Sequence, residues 1–594
     1  MDNKNLEIMR HSCEHVLHQA MEDLFPGLKR AMGPATEEGF YFDFDFDGKI
    51  SEADFPKIEK RMYEIIKANL PLTRQEISIA DARKLFKGNS YKQDWIDQIE
   101  KKGEKATVYW TGEPNKPGSD VDLCRGPHLE STGKIGQFKL LSIAGAYWHG
   151  DEKNKMLTRI YGTCFPTKEE LDKYLWQIEE AKKRDHRKLG AQLGLWVFSE
   201  LVGAGLPLYT QKGALIRRLL NEFVENIQSK QGITQVWTPQ IAKAELFKIS
   251  GHYEKYKENL FQVKSNYSEE EFFLKPMNCP QHTQIFSSAP RTYKDLPIRM
   301  ADFAMLYRDE KPGELMGLIR TRSFSQDDCH IFCREDQVVD EMNKALDMTK
   351  QIMDCFGFTY KYRLSLSDPE HPEKYLGDKE TWKKAEKLSE NILKDRKVNY
   401  FVGLGEAAFY APKLDLIVTD SLNRDWQLST LQIDFFLPER FKLEYVDADG
   451  SKKRPVMLHR AIMGSVERLM AILIEHYAGA FPTWLSPIQI TVLPISEKQN
   501  KEALVIYRIL TDNGFRVEID DDNKTVGYKI RQTTLKKVPY MVIIGDKEIQ
   551  KSNFKDVDGK EIFVSVRTRE GKDLGVISLY ELMQNLKEKI EKFQ

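Results

Sequence analysis

The sequence predicts a multidomain α+β protein, and three observations carry that expectation. At 594 residues the chain is too long for one core, and its length suggests about three to five domains. Its first part mixes a helical apolar period with strands of strict alternation. Its last hundred or so residues alternate strand, helix, strand, helix and strand. Apolar residues make up 41% and aromatics 11%, as in an ordinary soluble protein. The 89 basic and 90 acidic residues create no global field, so any nucleic-acid contact must come from local patches. Seven cysteines, odd in number and dispersed, argue against a disulfide framework and for a reducing cytoplasm. The segment MDNKNLEIMRHSCEH has no apolar signal core, and no run approaches the ~18 apolar residues of a membrane span. A cytoplasmic chain without a membrane partner, internal repeats or low-complexity segments is the expectation.

Along the chain, Leu6, Met9, Cys13, Leu17, Met21 and Leu24 recur with helical period, which puts His11 and His15 on one face. HSCEH also matches the H-x-x-E-H pattern of inverted zincins; the alternative is a pair of helix-surface histidines. Cys124 and His128 stand in DLCRGPH, a Pro/Gly loop that brings Asp122 and Arg125 with them. Two histidines and a Cys/His pair could be four metal ligands. GFYFDFDFDG, residues 39–48, reads as a strand with aromatics and acids on opposite faces. This α+β domain is expected over residues 1–165. Thr167 then opens a capping box with Glu170, and Leu171, Leu175 and Ile178 lead a linker helix, residues 166–190, into the charged run AKKRDHRKLG. The basic end reads as a solvated helix terminus, with RNA phosphate as the alternative contact.

Leu215, Leu219, Leu220, Phe223 and Ile227 predict an amphipathic helix, and TQVWTP a short strand stopped by Pro239, together a unit suited to making a dimer. KPMNCPQH sets Cys279 between Pro276 and Pro280 on a constrained loop. LYRDEKPGELMGLIRTRSFSQDDCHIF, Leu306 to Phe332, reads as strand, polar loop, strand, with Arg308 and Glu310 on one face of the first strand and Arg320 and Arg322 on the second. A guanidinium fork suits an α-phosphate and a carboxylate suits an amine, a pairing fit for adenine nucleotides. The alternative is a charged hairpin edge held by cross-strand pairs. Period 2 then puts Gln326, Asp328 and His330 on one strand face and Asp327, Cys329 and Ile331 on the other. FYAPKLDL and WQLSTLQIDF follow. In LHRAIMGSVERLMAIL, Gly464 and Arg468 stand one helical turn apart, so a flat ring could lie on the glycine beneath the guanidinium. From Pro487 the strand and helix signals predict a parallel three-layer α/β unit. It has no G-x-G-x-x-G and no Walker lysine, and VRTREGKDLG adds Arg567 and Arg569 on one strand face.

KPMNCPQH, YRDE, RTRSFSQDDCHIF, FYAPK and MLHRAIMGSVER together resemble the motifs of the threonyl-tRNA synthetase family, class II aminoacyl-tRNA synthetases. HSCEH with CRGPH resembles that family's editing domain, and VRTREGKDLG its anticodon-binding domain. The resemblance covers nearly the whole chain. It implies an antiparallel class II β-sheet core over residues 191–485, an N-terminal α+β editing domain and a C-terminal α/β anticodon-binding domain over residues 486–594, assembled as a homodimer. The implied activity is ATP-dependent conversion of L-threonine to threonyl-adenylate and transfer to the 3′ end of tRNA(Thr), with hydrolytic editing of seryl-tRNA(Thr). Residues carried over as catalytic are Arg308, Glu310, Arg320, Arg468, Lys413 and His252. The substrate-binding set is Gln326, Asp328, Tyr410, Gln427, Gln432 and Ser465. Cys279, His330 and His459 are the implied ligands of one Zn2+ per subunit, and Mg2+ is expected with ATP. One thiolate and two imidazoles leave an open position, as a catalytic zinc requires; Cys329 and Cys333 are the competing candidates, and alternation turns Cys329 away from Asp328 and His330. His11, His15, Lys92, Asp122, Cys124 and His128 are the implied editing residues, catalytic without metal in the family, and Asn523, Glu548 and Arg567 the anticodon contacts.

The chain departs from the family at Gln281, Ser323 and Ala411, where glycine is usual, and at Phe42, often Tyr. Only ten residues precede His11, where the family usually has a ubiquitin-like domain. Two rivals stand beside this reading. A non-catalytic paralogue acting as an RNA-binding regulator should have lost Arg308, Glu310 or Arg468, and all three are present. An inverted zincin needs a downstream helical glutamate as third ligand, and the match at CRGPH speaks against it.

Overall fold

The computed structural model describes residues 3–594, which divide into two compact units between Glu179 and Glu180. In chain order the first unit contains α1 (Asn3–Leu24), β1 (Lys29–Met32), β2 (Phe40–Asp45), α2 (Phe55–Lys67), β3 (Leu72–Ile77), α3 (Ile79–Leu85), α4 (Ser90–Lys101), β4 (Ala106–Thr111), β5 (Asp120–Leu123), β6 (Gln137–Tyr147) and β7 (Met156–Phe165). The antiparallel sheet β1-β2-β7-β6 is built on the alternation of β2. Phe40, Phe42 and Phe44 pack with Cys13, Val16 and Leu17 of α1 and Ile58, Met62 and Ile65 of α2, each large side chain contributing roughly 1.5–3 kcal/mol of burial. On the opposite face Asp43 takes two bonds, 2.6 and 2.7 Å, from Arg159, its direct partner on β7. A second sheet, β3-β4-β5, closes with α3 and α4 over Ala82, Phe86, Ile96, Val108 and Trp110.

The predicted capping box is present. Thr167 Oγ1 accepts from Glu170 N and Glu170 Oε2 accepts from Thr167 N, both at 3.2 Å. The linker is nevertheless two helices, α5 (Lys168–Arg184) and α6 (His186–Gln192). The break lies at Asp185, whose carboxylate accepts from Arg187 N at 2.8 Å and caps α6. His186 is buried, so the basic run is not simply a solvated terminus.

The second unit then follows with α7 (Gln211–Ser229), β8 (Thr234–Gln235), α8 (His252–Tyr256), α9 (Cys279–Ser287), β9 (Ile298–Asp302), β10 (Met305–Tyr307), β11 (Ser323–Cys333), α10 (Val338–Phe356), β12 (Thr359–Leu366), α11 (Lys379–Asp395), β13 (Tyr400–Leu404), β14 (Lys413–Thr419), β15 (Asp425–Asp434), β16 (Val456–Ser465) and α12 (Val466–His476). One sheet runs β8-β9-β11-β16-β15-β14-β12-β13, with β10 also on β11. It is antiparallel except for the outer pairs β8/β9 and β12/β13. Apolar residues of α7, α10 and α12 share the core with its inward side chains.

Three local expectations are corrected here. The hairpin ladder forms, Met305 to Tyr307 against Ser325 to Ser323, but Arg308, Glu310, Arg320 and Arg322 lie on its connection rather than on its strands. A helical turn at Pro312–Glu314 and Gly317 at φ +50 use up that stretch. Gly464 and Arg468 do not share a helix: Gly464 is the next-to-last residue of β16, at φ +64, and Ser465 caps α12 by accepting from Arg468 N. Cys279 opens α9 rather than sitting on a loop, with Pro280 tolerated in the first turn because its missing N–H is not needed there.

The chain ends in β17 (Ile490–Pro494), α13 (Asn500–Asp512), β18 (Val517–Ile519), α14 (Val526–Leu535), β19 (Tyr540–Ile544), β20 (Phe563–Thr568), β21 (Asp573–Ser578) and a closing helix, Leu579–Glu591. β18-β17-β19 are parallel as predicted, while β20 and β21 add antiparallel strands, so the sheet is mixed. Arg569 lies past β20 and donates to the carbonyls of Phe481 and Lys537 rather than sharing a strand face with Arg567.

Gln281, Ser323 and Ala411 are not among the residues with positive φ. Gln281 is helical, Ser323 begins β11, and Ala411 is buried; none needs glycine's conformational freedom. Among the described residues no helix is long and apolar enough to cross a membrane, and the seven cysteines are unpaired.

Candidate functional site

The floor of the larger site is made by strand register. β11 and β16 set His330 opposite His459, and β15 sets Gln432 opposite His459 on its other side. A bulge between Gln326 and Asp328 is held by Asp327, which points to the other face and accepts from the N–H groups of Ile462 and Met463 at 2.8 and 3.1 Å. Cys329 and Cys333 lie in the apolar core, on the far side from His330. Cys279, His330 and His459 offer ligand atoms within 4.8 Å of one another. His330 Nε2 is 3.0 Å from His459 Nδ1, and His459 Nε2 is 2.9 Å from Asp434 Oδ2. His330 Nδ1 meets His282 Nδ1 at 2.8 Å.

This donor set suits zinc: one thiol, two imidazoles, and outer partners on the second ring nitrogens. Burial, with Asp328 and Asp434 nearby, holds the Cys279 thiol well above its usual range, so losing its proton needs a cation. Burial, with His459 and Arg460 nearby, keeps His330 neutral. Sequence reasoning missed Asp434 and His282. Their signals were available: His282 is three residues after Cys279 on a helix, and Asp434 alternates with Gln432 on a strand.

A cavity of about 440 Å³ opens above the floor. Besides the three ligand-type residues, its walls include Arg308, Glu310, Arg320, Gln326, Asp328, Tyr410, Lys413, Gln427, Gln432, Ser465 and Arg468. Arg320 donates twice to one Glu310 oxygen, at 3.0 and 2.7 Å, and Arg322 Nε donates to the Glu310 carbonyl. Arg468 Nε donates to Ile319 O at 3.2 Å. Burial and the neighbouring Arg308 and Arg320 lower the Arg468 pKa; guanidiniums that repel one another around a cavity make a receptor for a polyanion. Asp415 ties down the opposite wall through Lys413, Arg363 and Gln427 at 3.3, 2.9 and 2.8 Å. Tyr410 lies against His459, with ring centroids 4.9 Å apart. His252 is not on the cavity wall. It is fully buried, with Nδ1 2.8 Å from Ser250 Oγ and Nε2 3.2 Å from Met277 Sδ. Burial, with His459 and Arg308 adding to it, pushes its pKa down to about 3.

The first unit holds a second cavity, about 430 Å³, whose walls include His11, His15, Lys92, Asp122 and Cys124. His128 meets Cys124 Sγ through Nε2 at 3.2 Å, and His11 Nε2 reaches the same sulfur at 3.4 Å. The ligand-type atoms of His11, His15, Cys124 and His128 also lie within 4.8 Å of one another. All three imidazoles are neutral. Burial lowers His11 and, with His128 adding to it, holds His15 well below its usual range; burial and His11 push His128 down to about 2. Asp122, which burial alone would raise, is kept low by Lys92 and Arg30, and Lys92 Nζ donates to it at 2.9 Å. The sequence assigned no role to Ser12 or His18 and offered Glu14 only as the acid of the H-x-x-E-H pattern. Ser12 Oγ accepts from Leu129 N and approaches His128 Nδ1 at 3.3 Å, and His18 lies 2.5 Å from Glu14. The spacing of His11, His15 and His18 along α1 was the available signal.

In the last domain Asn523 sits on an exposed loop before α14. Glu548 accepts from Gly545 N and Ser565 Oγ, both at 2.9 Å, and Arg567 follows two residues after Ser565 on β20, on the same face.

Residues 261–477 match the tRNA synthetase class II core domain (G, H, P, S and T), residues 489–589 an anticodon binding domain, and residues 107–161 the threonyl and alanyl tRNA synthetase second additional domain. The threonine–tRNA ligase of Rubrobacter xylanophilus is 47% identical over 547 residues, 92% of this chain and 84% of that one. That of Cytophaga hutchinsonii is 47% identical over 596 residues, 100% and 90% of the two chains. The chain belongs to the threonyl-tRNA synthetase family. Its activity is that of an aminoacyl-tRNA ligase that joins threonine to tRNA at the expense of ATP. Among solved structures, the RNA binding domain of threonyl-tRNA synthetase from Cryptosporidium parvum Iowa II superposes with a TM-score of 0.64 at 39% identity, over 68% of this chain and 98% of that one. The putative threonyl-tRNA synthetase ThrRS-1 of Aeropyrum pernix gives 0.59 at 28% identity, over 69% and 96%. The multidomain α+β reading with its class II core is thereby borne out. His11 and His15 lie outside the span matched by the second additional domain.

One consequence for the second cavity follows from burial. Although Gly126 N donates to its sulfur, burial pushes the Cys124 thiol up to about 12. The raised value keeps it protonated near neutrality, so alkylation by iodoacetamide at pH 7.5 should be at least ~100-fold slower than for a free cysteine, rising steeply to pH 10 without a plateau. Mass spectrometry of the modified peptide against pH checks this; a plateau below pH 8 would show a depressed thiol instead.

Proposed function

We propose that residues 191–485 form the threonine-activating domain, residues 1–165 an editing domain, 166–190 the linker and 486–594 the anticodon-binding domain, in a cytoplasmic homodimer. The observation that carries this reading is one cavity with guanidiniums on one wall and a Cys/His/His set on its floor. Arg308 and Arg468 receive the α-phosphate and the charge that develops on it. Arg320 holds Glu310, whose second carboxylate oxygen remains for the adenine amine. The threonine carboxylate oxygen attacks the α-phosphorus and the bond to pyrophosphate breaks, giving threonyl-adenylate. The tRNA 3′-terminal ribose hydroxyl then attacks the acyl carbon and AMP leaves. Mg2+ bound with ATP would neutralise phosphate charge. Gln326, Gln427, Gln432, Lys413, Tyr410 and Ser465 line the amino-acid and adenylate pocket, and Asp328 accepts the threonine hydroxyl proton. His252, behind the wall, is assigned to acyl transfer by resemblance; its Nε2 faces Met277 Sδ and, at 3.8 Å, Cys279 Sγ.

Cys279, His330 and His459 would hold one Zn2+ per subunit, which supplies a Lewis acid with an open position for the amine and hydroxyl of the amino acid. A hydrophobic pocket separates threonine from valine by only about 10 to 200-fold, whereas a site that binds the hydroxyl reaches roughly 10^4. Serine keeps the hydroxyl and lacks one methyl, worth about 1–3 kcal/mol, so mischarging follows. The second cavity answers it: His11, His15, Lys92, Asp122, Cys124 and His128 position water and the terminal ribose of seryl-tRNA(Thr), neutral imidazoles relaying protons. Asn523, Glu548 and Arg567 meet the anticodon, whose unstacked bases present edges for hydrogen bonding. β8 with α7 is the surface we assign to the dimer.

Amino-acid-dependent pyrophosphate exchange tests the first site: threonine should exceed serine by about 10 to 200-fold and valine by roughly 10^4. Valine exchange within about 200-fold of threonine would mean the hydroxyl is not read. For the second site, a His11→Ala/His15→Ala enzyme should charge threonine almost normally while seryl-tRNA(Thr) accumulates. Clearance of seryl-tRNA at the parent rate would remove the editing assignment.

A further inference from the structure

We propose that His186, in the first turn of α6, is a positioning residue for the ATP site, holding in place the loop that carries Arg320. The inference rests on the assignment of that loop to ATP made above. His186 is 1% exposed, and both ring nitrogens are engaged. Nδ1 lies 2.6 Å from Glu475 Oε1, and the same oxygen accepts the His186 backbone N–H at 3.0 Å. Nε2 lies 3.1 Å from the backbone nitrogen of Leu318. A carboxylate accepts and an amide N–H donates, so the two partners fix the tautomer: the proton sits on Nδ1 and the lone pair of Nε2 faces Leu318. Glu475 cannot swing away, because Arg424 donates to its other oxygen at 2.5 Å.

The contact is tight as well as directional. Gly317 has φ +50, and a Cβ there would stand 2.2 Å from His186 Nε2, so the imidazole reaches backbone that no other residue type would leave open. One residue beyond Leu318, the carbonyl of Ile319 accepts from Arg468, a guanidinium of the ATP wall. Next comes Arg320, which holds Glu310. Three consecutive residues are thus fixed in turn by a linker helix, by a phosphate-binding arginine and by the adenine-binding glutamate. Without His186 the buried Leu318 N–H loses its partner, and the loop relaxes to find water for it. Arg468 and Arg320 then lose their common frame. The amino-acid end of the cavity, built on β11, β15 and β16, does not depend on that frame.

The test is pyrophosphate exchange with ATP and threonine varied separately, on the full chain. His186→Ala should raise the KM for ATP about tenfold, with the KM for threonine and the zinc content unchanged. Gln and Asn variants separate positioning from packing. The longer carboxamide introduced by H186Q reaches the place of Nε2 and can accept from Leu318, so H186Q should return to within about threefold of the parent. H186N reaches only Glu475 and should behave like His186→Ala. If His186→Ala fails to fold, the contrast between H186Q and H186N carries the test. An unchanged ATP KM, an equal loss toward ATP and threonine, or equal rescue by Asn and Gln would overturn the proposal. Arg320→Ala separates the two layers: a raised ATP KM there with none in His186→Ala removes His186 alone. An unchanged ATP KM in Arg320→Ala removes the loop assignment and the proposal with it.

Discussion

The pairing of β11 with β16 is the constraint on which the rest of the larger site depends. It sets two histidines from strands more than a hundred residues apart directly opposite each other. A slip of one residue would turn His330 into the core and bring Cys329 to the surface, because side chains alternate strictly along a strand. The register is held at one end by Asp327, whose carboxylate reaches across to two amides of β16. Core packing of Cys329 and Ile331 beneath the sheet holds it elsewhere. Burial pushes the Asp327 carboxyl up to about 7, and Arg460, almost wholly buried beside it, limits that rise. The active face is ordered by what happens on the inactive one.

The two cavities use similar donors in different electrostatic settings. In the larger one, Arg308, Arg320 and Arg468 crowd one wall, with Glu310 and Glu314 paired to Arg320, a setting that suits an anion. In the smaller one Lys92 pairs with Asp122 and Arg30 with Asp120, while Lys102, Lys105 and Arg125 line the cavity together with the imidazoles of His11 and His15.

Much of this was legible in the sequence because strand alternation and helical period are local. The faces of β2 and β11 and the capping box at Thr167 follow from spacing alone. What could not be read was where regular structure stops. The hairpin connection takes Arg308, Glu310, Arg320 and Arg322 out of the strands because Pro312 and Gly317 turn the chain early. Asp185 breaks the linker because its side chain competes for a backbone N–H. Long-range partners were equally hidden: alternation with Gln432 marks the face of Asp434 but does not name His459 as its partner, and nothing near His186 announces Leu318. The roles of the editing and zinc residues came from the family's motifs, since a Cys/His cluster by itself reads as a metal site in both places.

The zinc K-edge absorption spectrum of the purified enzyme tests the account most directly. Two histidines set opposite each other by the β11–β16 register, with Cys279 from α9, predict one sulfur at ~2.3 Å and two imidazole nitrogens at ~2.0–2.1 Å, with additional light-atom scattering that changes when threonine is added. Two or more sulfurs, which would recruit Cys329 or Cys333, or an enzyme fully active without zinc, would contradict it.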